Sequence, residues 1–113
     1  MKKFMVLYMA SGAAFEEMMK NSTPEQRQKG MDAWMKWMDA NKASIVEGGA
    51  PLGKTKRVDA NGASNTKNAI GGYSVVPAES DDAATKILGK AHPHLQVPGA
   101  WIEIIEIMPL PGM

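Results

Sequence analysis

Residues 71–109 read GGYSVVPAESDDAATKILGKAHPHLQVPGAWIEIIEIMP, and this stretch decides the fold. It predicts a strand at its start, a helix that begins after Ser80, a turn that holds His92 and His94, and a closing strand. Ser80 is a good N-cap, and the two aspartates after it favour the positive end of the helix dipole. A strand, a helix and a strand in this order indicate half of an α+β domain.

The first part of the chain predicts the other half of such a domain. Residues 4–9 are apolar at every position, which is typical of a central strand that is covered on both faces. Thr23, Pro24 and Gln26 carry the signature of a capped helix start, and we expect that helix to end near Asn41. The chain therefore begins as a strand followed by a long helix.

Apolar spacing predicts which helix faces are buried. On the first long helix, an i, i+3, i+4, i+7 stripe predicts a buried face made of Met31, Trp34, Met35 and Met38, with Trp37 at its rim. The predicted buried stripe of the second helix consists of Ala83, Ala84, Ile87, Leu88 and Ala91.

Between the two halves, residues 48–51 have the composition of a turn, and residues 54–58 predict a charged edge strand. Residues 59–68, rich in Asn, Gly and Ser, predict a hairpin loop or a mobile segment. The order of elements is then β-α-β-β-α-β. This order predicts a single ferredoxin-like α+β domain over residues 1–113, with an antiparallel sheet and two helices on one face.

Composition excludes several classes of function. The formal charge is +1, from 13 basic and 12 acidic residues, so neither nucleic acid nor an anionic membrane is an expected partner. The absence of cysteine excludes a thiolate nucleophile and a sulfur-ligated zinc site. No apolar run reaches the ~20 residues that span a bilayer. We expect a cytoplasmic protein with a small-molecule partner and no cofactor.

The closing strand predicts a homodimer, because neither of its faces is polar. Alternation places Trp101, Glu103, Ile105 and Ile107 on one side and Ile102, Ile104, Glu106 and Met108 on the other. Two helices can cover only one face of the sheet. A second copy of the chain, packed face to face about a two-fold axis, would cover the other.

Several segments resemble the YCII-related family, and together they span nearly the whole chain. They are residues 4–9 (FMVLYM), 71–74 (GGYS), 78–80 (AES), 92–95 (HPHL) and 102–103 (IE). The resemblance implies a dimeric α/β barrel built from ferredoxin-like protomers, with one cleft in each protomer. Some members of the family are lyase-like enzymes that use a histidine on the first long helix with an aspartate. Residues 23–41 contain no histidine, so that dyad is not carried over.

The two histidines are the candidates for chemistry. His94 is the predicted catalytic residue, because an imidazole with a pKa near ~6.5 serves as a general acid or base. The alternative is that both histidines cap the end of the second helix. A third possibility joins His92 and His94 to Glu103 or Glu106 around a divalent metal, but a His-x-His pair in a turn is a weak signal, and we predict no metal site.

The predicted ligand contacts combine a second imidazole, aromatic rings that can stack on a planar molecule, an adaptable methionine and a strand carboxylate. They are His92, Trp34, Met38, Tyr73 and Glu103.

Two classes of function remain open. In the first, the protein is a small enzyme in which His94 exchanges protons on an apolar or aromatic substrate, in an elimination or isomerisation, within a cleft capped by residues 15–19. In the second, it is a non-catalytic homodimeric module that binds a small ligand in a pocket lined by methionine and tryptophan.

Overall fold

The computed structural model describes residues 1–89, 92–97 and 99–109, except for the side chains of Ala14, Phe15, Met18, Met19, Ser44 and Gln96. The elements in chain order are β1 (Lys2–Ala10), α1 (Gly12–Asn21), α2 (Pro24–Ala40), a 3-10 turn (Lys42–Ser44), β2 (Glu47–Pro51), β3 (Thr55–Asp59), β4 (Gly62–Thr66), β5 (Ile70–Ala78), α3 (Asp81–Leu88), a second 3-10 turn (Pro93–Gln96) and β6 (Ala100–Ile107). Within these ranges no helix has both the length and the apolar character needed to cross a membrane.

The main sheet has four strands in the order β2-β5-β1-β6, and each neighbouring pair is antiparallel. Helices α1 and α2 connect β1 to β2, and α3 connects β5 to β6. This is the strand order and connectivity of a ferredoxin-like unit, so the predicted α+β fold class is confirmed.

The two faces of the sheet differ in what covers them. Phe4, Val6 and Tyr8 of β1 are buried, and they form the core with Val76, Ala78, Ala84 and Leu88. The intervening residues Met5 and Leu7 point to the opposite face, which we call the open face. The register pairs Met5 with Ile105 and Leu7 with Glu103, so the outward side of β6 continues the open face.

The helix starts confirm the sequence prediction. Thr23 Oγ1 accepts from the Gln26 amide at 3.1 Å, and Gln26 Oε1 accepts from the Thr23 amide at 2.8 Å. Ser80 Oγ accepts from the Ala83 amide at 3.1 Å.

The end of α3 contradicts the alternative in which both histidines cap this helix. Its C-cap is Gly89, with φ of +44°, and neither histidine serves as that cap.

The predicted inner face of α3 is confirmed at its described positions. Ala84 and Leu88 are buried, and Ala83 and Ile87 pack against the core. Ala91, the last residue predicted for this stripe, lies outside the described residues.

The predicted buried face of α2 was wrong in two of its four residues. Met31 and Met35 are 60% and 63% exposed. Trp34 and Met38 are half-buried, and so is Trp37, which lies on the same side of the helix. The apolar spacing would allow α2 to bury either the side with Met31 and Met35 or the side with both tryptophans. The side with both tryptophans is the one that contacts the core. No residue of α2 is fully buried.

The region between α2 and β5 also differs from the prediction. Residues 48–51, predicted as a turn, form most of β2, because their backbone pairs with the edge of β5. The charged segment is strand β3 as expected, but it pairs with β4 in a separate two-stranded ribbon. Most of the predicted loop 59–68 is therefore a strand. Tertiary pairing overrides the local turn composition here.

Gly49 is the position of β2 that tolerates no side chain. Its φ is +75°, and a Cβ placed there would clash with the carbonyl oxygen of Tyr73. The register between β2 and β5 shifts between Glu47 and Ala50, so Gly49 lies in an irregularity of the pairing.

We expect Gly49→Ala to lower the free energy of unfolding by about 2 kcal/mol or more, because it adds backbone strain to a clash with the main chain. Gly53→Ala is the matched control, since nothing lies within 4 Å of its Cβ position and its φ is not positive. Urea denaturation of both variants checks the prediction. Equal stability of the two variants would contradict it.

Candidate ligand-binding site

His92 occupies the most enclosed position of the candidate site. It precedes the 3-10 turn Pro93–Gln96, and its side chain is fully buried, with no exposed surface. Its Nδ1 accepts a hydrogen bond from the His94 backbone amide at 3.0 Å. An accepting Nδ1 carries no proton, so the neutral ring carries its hydrogen on Nε2.

The Nε2–H of His92 has no hydrogen-bond partner among the described residues. A buried donor without a partner costs about 1–3 kcal/mol, so such groups are rare in folded proteins. Burial, together with the smaller effect of the neighbouring His94, lowers the pKa of His92 from 6.5 to about 4. His92 is therefore a neutral hydrogen-bond donor at pH 7.

Three aromatic rings surround this donor. Tyr8 stacks on His92 with ring centroids 5.0 Å apart and an interplanar angle of 28°. Trp34 meets it edge-on at 4.7 Å, and Trp37 lies at 4.2 Å with a tilt of 58°. We call Tyr8, Trp34, Trp37 and His92 the His92 cluster. Aromatic pairs at such distances contribute roughly 0.5–1.5 kcal/mol each beyond their buried area.

His94 lies at the edge of the cluster, half-buried, and its ring is 5.5 Å from that of Tyr8. Its Nε2 contacts the backbone carbonyls of Met9 at 2.8 Å and Trp101 at 3.1 Å. Carbonyl oxygens only accept, so Nε2 carries the hydrogen and donates it to both. His94 thereby joins the end of β1 to the start of β6. Its Nδ1 keeps a lone pair, which is the group a general base needs.

Tyr8 is fixed from the other side by a chain of hydrogen bonds. Ser74 Oγ donates to the Gly48 carbonyl at 3.1 Å, so the Tyr8 hydroxyl donates to Ser74 Oγ at 2.9 Å. Burial raises the pKa of Tyr8, and the hydrogen bond to Ser74 partly offsets this. These two hydrogen bonds link β1, β5 and β2, and they hold in place the Tyr8 ring that stacks on His92.

The predicted ligand contacts divide between the two faces of the sheet. Trp34 and His92 meet in the His92 cluster, with His94 beside them. Met38, on the same helix, lies over β2: a Cβ built on Gly48 would be 2.6 Å from its Cε. Tyr73 and Glu103 belong to the open face, because both pair with Leu7 in the register.

The two open-face residues have local partners. The Tyr73 hydroxyl donates to Glu47 Oε1 at 2.9 Å, and the hydrogen bond and charge of Glu47 raise the pKa of Tyr73. Trp101 Nε1 donates to Glu103 Oε2 at 2.8 Å. Glu103 therefore lies on the other face of the sheet from His92.

Among residues 1–89, 92–97 and 99–109, no three histidine or carboxylate side chains come together as a metal would require.

Sequence reasoning missed two members of the cluster. Trp37 was predicted at the rim of a helix stripe, and Tyr8 was only one residue of an apolar strand. A signal was available for Tyr8, because a tyrosine that alternates with Phe4 and Val6 on one strand face must bury its hydroxyl beside a partner. The predicted lid, residues 15–19, is part of α1, and the side chains of Phe15, Met18 and Met19 lie outside the described residues.

No protein-family model and no curated protein matches this chain. Among solved structures, the fold is similar to that of 5-chloro-2-hydroxyhydroquinone dehydrochlorinase (TftG) from Burkholderia phenoliruptrix AC1100, in complex with 2,5-dihydroxybenzoquinone. The TM-score is 0.50 and the sequence identity 17%, over 89% of this chain and 90% of that chain. The similarity is one of fold, and it covers nearly all of both chains.

Proposed function

We propose that this chain is a YCII-related homodimeric protein that binds a small planar molecule at the His92 cluster. The observation that carries the proposal is the buried Nε2–H of His92, which has no partner among the described residues and lies among three aromatic rings. A ligand oxygen that accepts this hydrogen would remove the cost of the unpaired donor.

The chemistry of the cluster indicates the class of ligand. Tyr8, Trp34 and Trp37 offer faces and edges that pack against flat apolar rings. The low pKa of His92 makes it a donor that is neutral at pH 7, so the matching group is a carbonyl, phenolic or ether oxygen. A small aromatic or quinone-like molecule with one such oxygen fits both requirements.

Helix α2 is the element that would move to admit a ligand. It contributes Trp34 and Trp37 to the enclosure of His92, yet none of its residues is fully buried. A helix with few buried contacts opens at a lower free-energy cost than the central strands. We expect a ligand to enter between α2 and the turn that carries His94.

The proposed homodimer accounts for the open face and for the shape of the chain. The chain exposes 8408 Å² of surface, whereas a folded monomer of 12.2 kDa exposes about 6,100 Å². Its radius of gyration is 15.8 Å, against about 13 Å for a compact chain of this length. Its thickness is only 18 Å. A second copy on the open face would cover Trp101, Ile105 and Ile107, which are 39%, 48% and 40% exposed.

The ligand proposal is tested by NMR of the indole N–H signals. Trp101→Phe leaves Trp34 and Trp37 as the two indole reporters, since the chain has three tryptophans. The probes are small phenols and aromatic ketones, with 2,5-dihydroxybenzoquinone included because the similar dehydrochlorinase holds it.

At least one probe should shift both indole signals in a saturable way, and His92→Phe should weaken that binding roughly tenfold, since it removes a buried donor. Met35→Ala, on the exposed side of α2, is the matched control and should bind as the parent does. Binding that is unaffected by His92→Phe, or the absence of any saturable shift, would refute the proposal.

A second candidate function is acid–base catalysis by His94 on the bound molecule. The observation that favours it is the fixed tautomer of His94, whose Nε2–H is held by two carbonyls while Nδ1 keeps its lone pair. In an elimination, Nδ1 would take a proton from carbon, the C–H electrons would form the double bond, and the leaving group would depart with its electron pair. His94→Gln can still donate an N–H to the carbonyls but cannot act as a base. It should abolish turnover of any substrate found while leaving its binding unchanged.

A further inference from the structure

A concave surface lies beside the β3–β4 ribbon and shares no residue with the His92 cluster. It is an open groove of about 570 Å³ between the ribbon and the start of α1. We call it the ribbon groove. Its lining residues are Gly12, Glu16, Gly53, Lys54, Thr55, Lys56, Asn65, Thr66, Lys67, Asn68 and Ile70.

The ribbon groove concentrates positive charge. Three of its lining residues are lysines and one is a carboxylate, which gives the groove a formal charge of +2 in a chain whose total is +1. Lys67 pairs with Glu16 at 3.6 Å. Lys54 and Lys56 form no ion pair with the described residues, so their charges are available to a ligand.

Uncharged donors accompany the lysines. Lys56 pairs with Asn65 across the ribbon, and Thr55, whose hydroxyl donates to the Gly53 carbonyl at 3.5 Å, pairs with Thr66. Asn68 uses its Oδ1 to accept from the Ile70 amide at 2.9 Å, which leaves its Nδ2 hydrogens as donors. Ammonium groups beside amide and hydroxyl donors provide the hydrogen bonds that phosphate oxygens accept.

We propose that the ribbon groove binds a small phosphate-bearing anion. Lysines act as point charges toward phosphate, and a multivalent anion can interact with Lys54, Lys56 and Lys67 together. The volume matches that of ordinary small-ligand sites, which lie at roughly 300–1,000 Å³. The negative charge of Glu16 repels the anion, and its ion pair with Lys67 competes with the anion for that lysine. Glu16 therefore lowers the affinity of the groove for the anion.

Inorganic pyrophosphate is the probe, titrated into the 15N-labelled protein at constant ionic strength. The expected result is a saturable shift of the backbone amides of residues 53–56 and 65–68. The triple variant Lys54→Gln, Lys56→Gln, Lys67→Gln should bind roughly tenfold or more weakly, because it removes all three cations of the groove. Glu16→Gln should bind severalfold more tightly, since it removes the opposing charge and the partner of Lys67.

The charge-matched control is the triple variant Lys29→Gln, Lys36→Gln, Lys86→Gln, which changes exposed lysines of α2 and α3 by the same net charge. It should bind pyrophosphate within about twofold of the wild type, since these lysines do not line the groove and salt screens the charges of exposed side chains. Equal weakening by the two triple variants would overturn the proposal in favour of non-specific attraction. Pyrophosphate shifts that do not saturate, or a Glu16→Gln variant that binds no more tightly, would overturn it as well.

Discussion

Replacement of Ile105 by glutamate is expected to dissociate the proposed homodimer into folded monomers. Ile105 lies on the open face, pairs with Met5 in the register, and is 48% exposed in the single chain. In a face-to-face dimer its side chain would pack against the partner's sheet, so the dimer would bury each new carboxylate. Burying an uncompensated charge costs several kcal/mol, and roughly 3 kcal/mol weakens the dimer more than a hundredfold.

Sedimentation equilibrium or light scattering across a dilution series measures the effect. The wild type should have a mass about twice 12.2 kDa, and Ile105→Glu should have the monomer mass with an unchanged far-ultraviolet circular dichroism spectrum. Met35→Glu adds the same charge at a side chain that is 63% exposed on α2, so it should remain dimeric. A monomeric wild type, or a dimer that withstands Ile105→Glu as well as Met35→Glu, would contradict the prediction.

Because His92 is buried in its neutral form, we expect the free energy of unfolding to fall on acidification. This fall begins at a pH where carboxylates still contribute little to the pH dependence of stability. The folded-state pKa of about 4 lies below the ordinary value of 6.5, so the unfolded chain takes up the proton first. The contribution of neutral His92 to stability is thus complete above pH 6.5 and is lost as the pH falls toward about 4. Between pH 7 and 5 this loss amounts to about 2 kcal/mol.

His92→Phe keeps an aromatic ring in the cluster and removes the titrating nitrogens. Urea denaturation at pH 7 and pH 5 should show that the variant loses about 2 kcal/mol less stability over this interval than the wild type does. The difference between the two pH values is the readout, because the variant also removes the acceptor of the His94 amide and the unpaired Nε2–H, and these two changes alter its stability at both pH values. His94→Gln retains His92 and should largely retain its pH dependence.

Direct NMR titration offers a test that does not depend on the variant. The ring proton signals of His92 should stay at their neutral positions from pH 8 down to about pH 5, because burial holds the pKa of this ring near 4. A His92 ring that titrates near pH 6.5 in the folded protein would contradict the expected stability profile.

The His92 cluster could not be predicted from the sequence, although two of its four residues were nominated. Trp34 and His92 were predicted as ligand contacts, but Tyr8 lies 84 positions before His92 in the chain, and no local pattern relates them. The His94 amide, two residues along the chain, sets the tautomer of His92 locally, but the burial of its Nε2–H without a partner is a tertiary property, because it depends on rings from distant elements that exclude water. Tyr73 and Glu103 were nominated with the same reasoning, yet the pleat of the sheet turns them to the other face.

The sequence by itself determined the elements whose signals are local. The capping box at Thr23, the N-cap at Ser80 and the alternation of β6 each depend on contacts within a few residues, and all three are present in the folded chain. These local signals were enough for the ferredoxin-like order of elements.

Only the tertiary structure decided which of several allowed local choices was used. Residues 48–51 became a strand because the edge of β5 offered hydrogen bonds, and the side of α2 with both tryptophans was buried because the core lay beneath it. The same holds for His94, whose role as a link between β1 and β6 depends on two carbonyls from distant strands. Residues that are distant in the sequence stabilise these states by burial and pairing. The local sequence pattern does not indicate which of these residues will be neighbours in the folded chain.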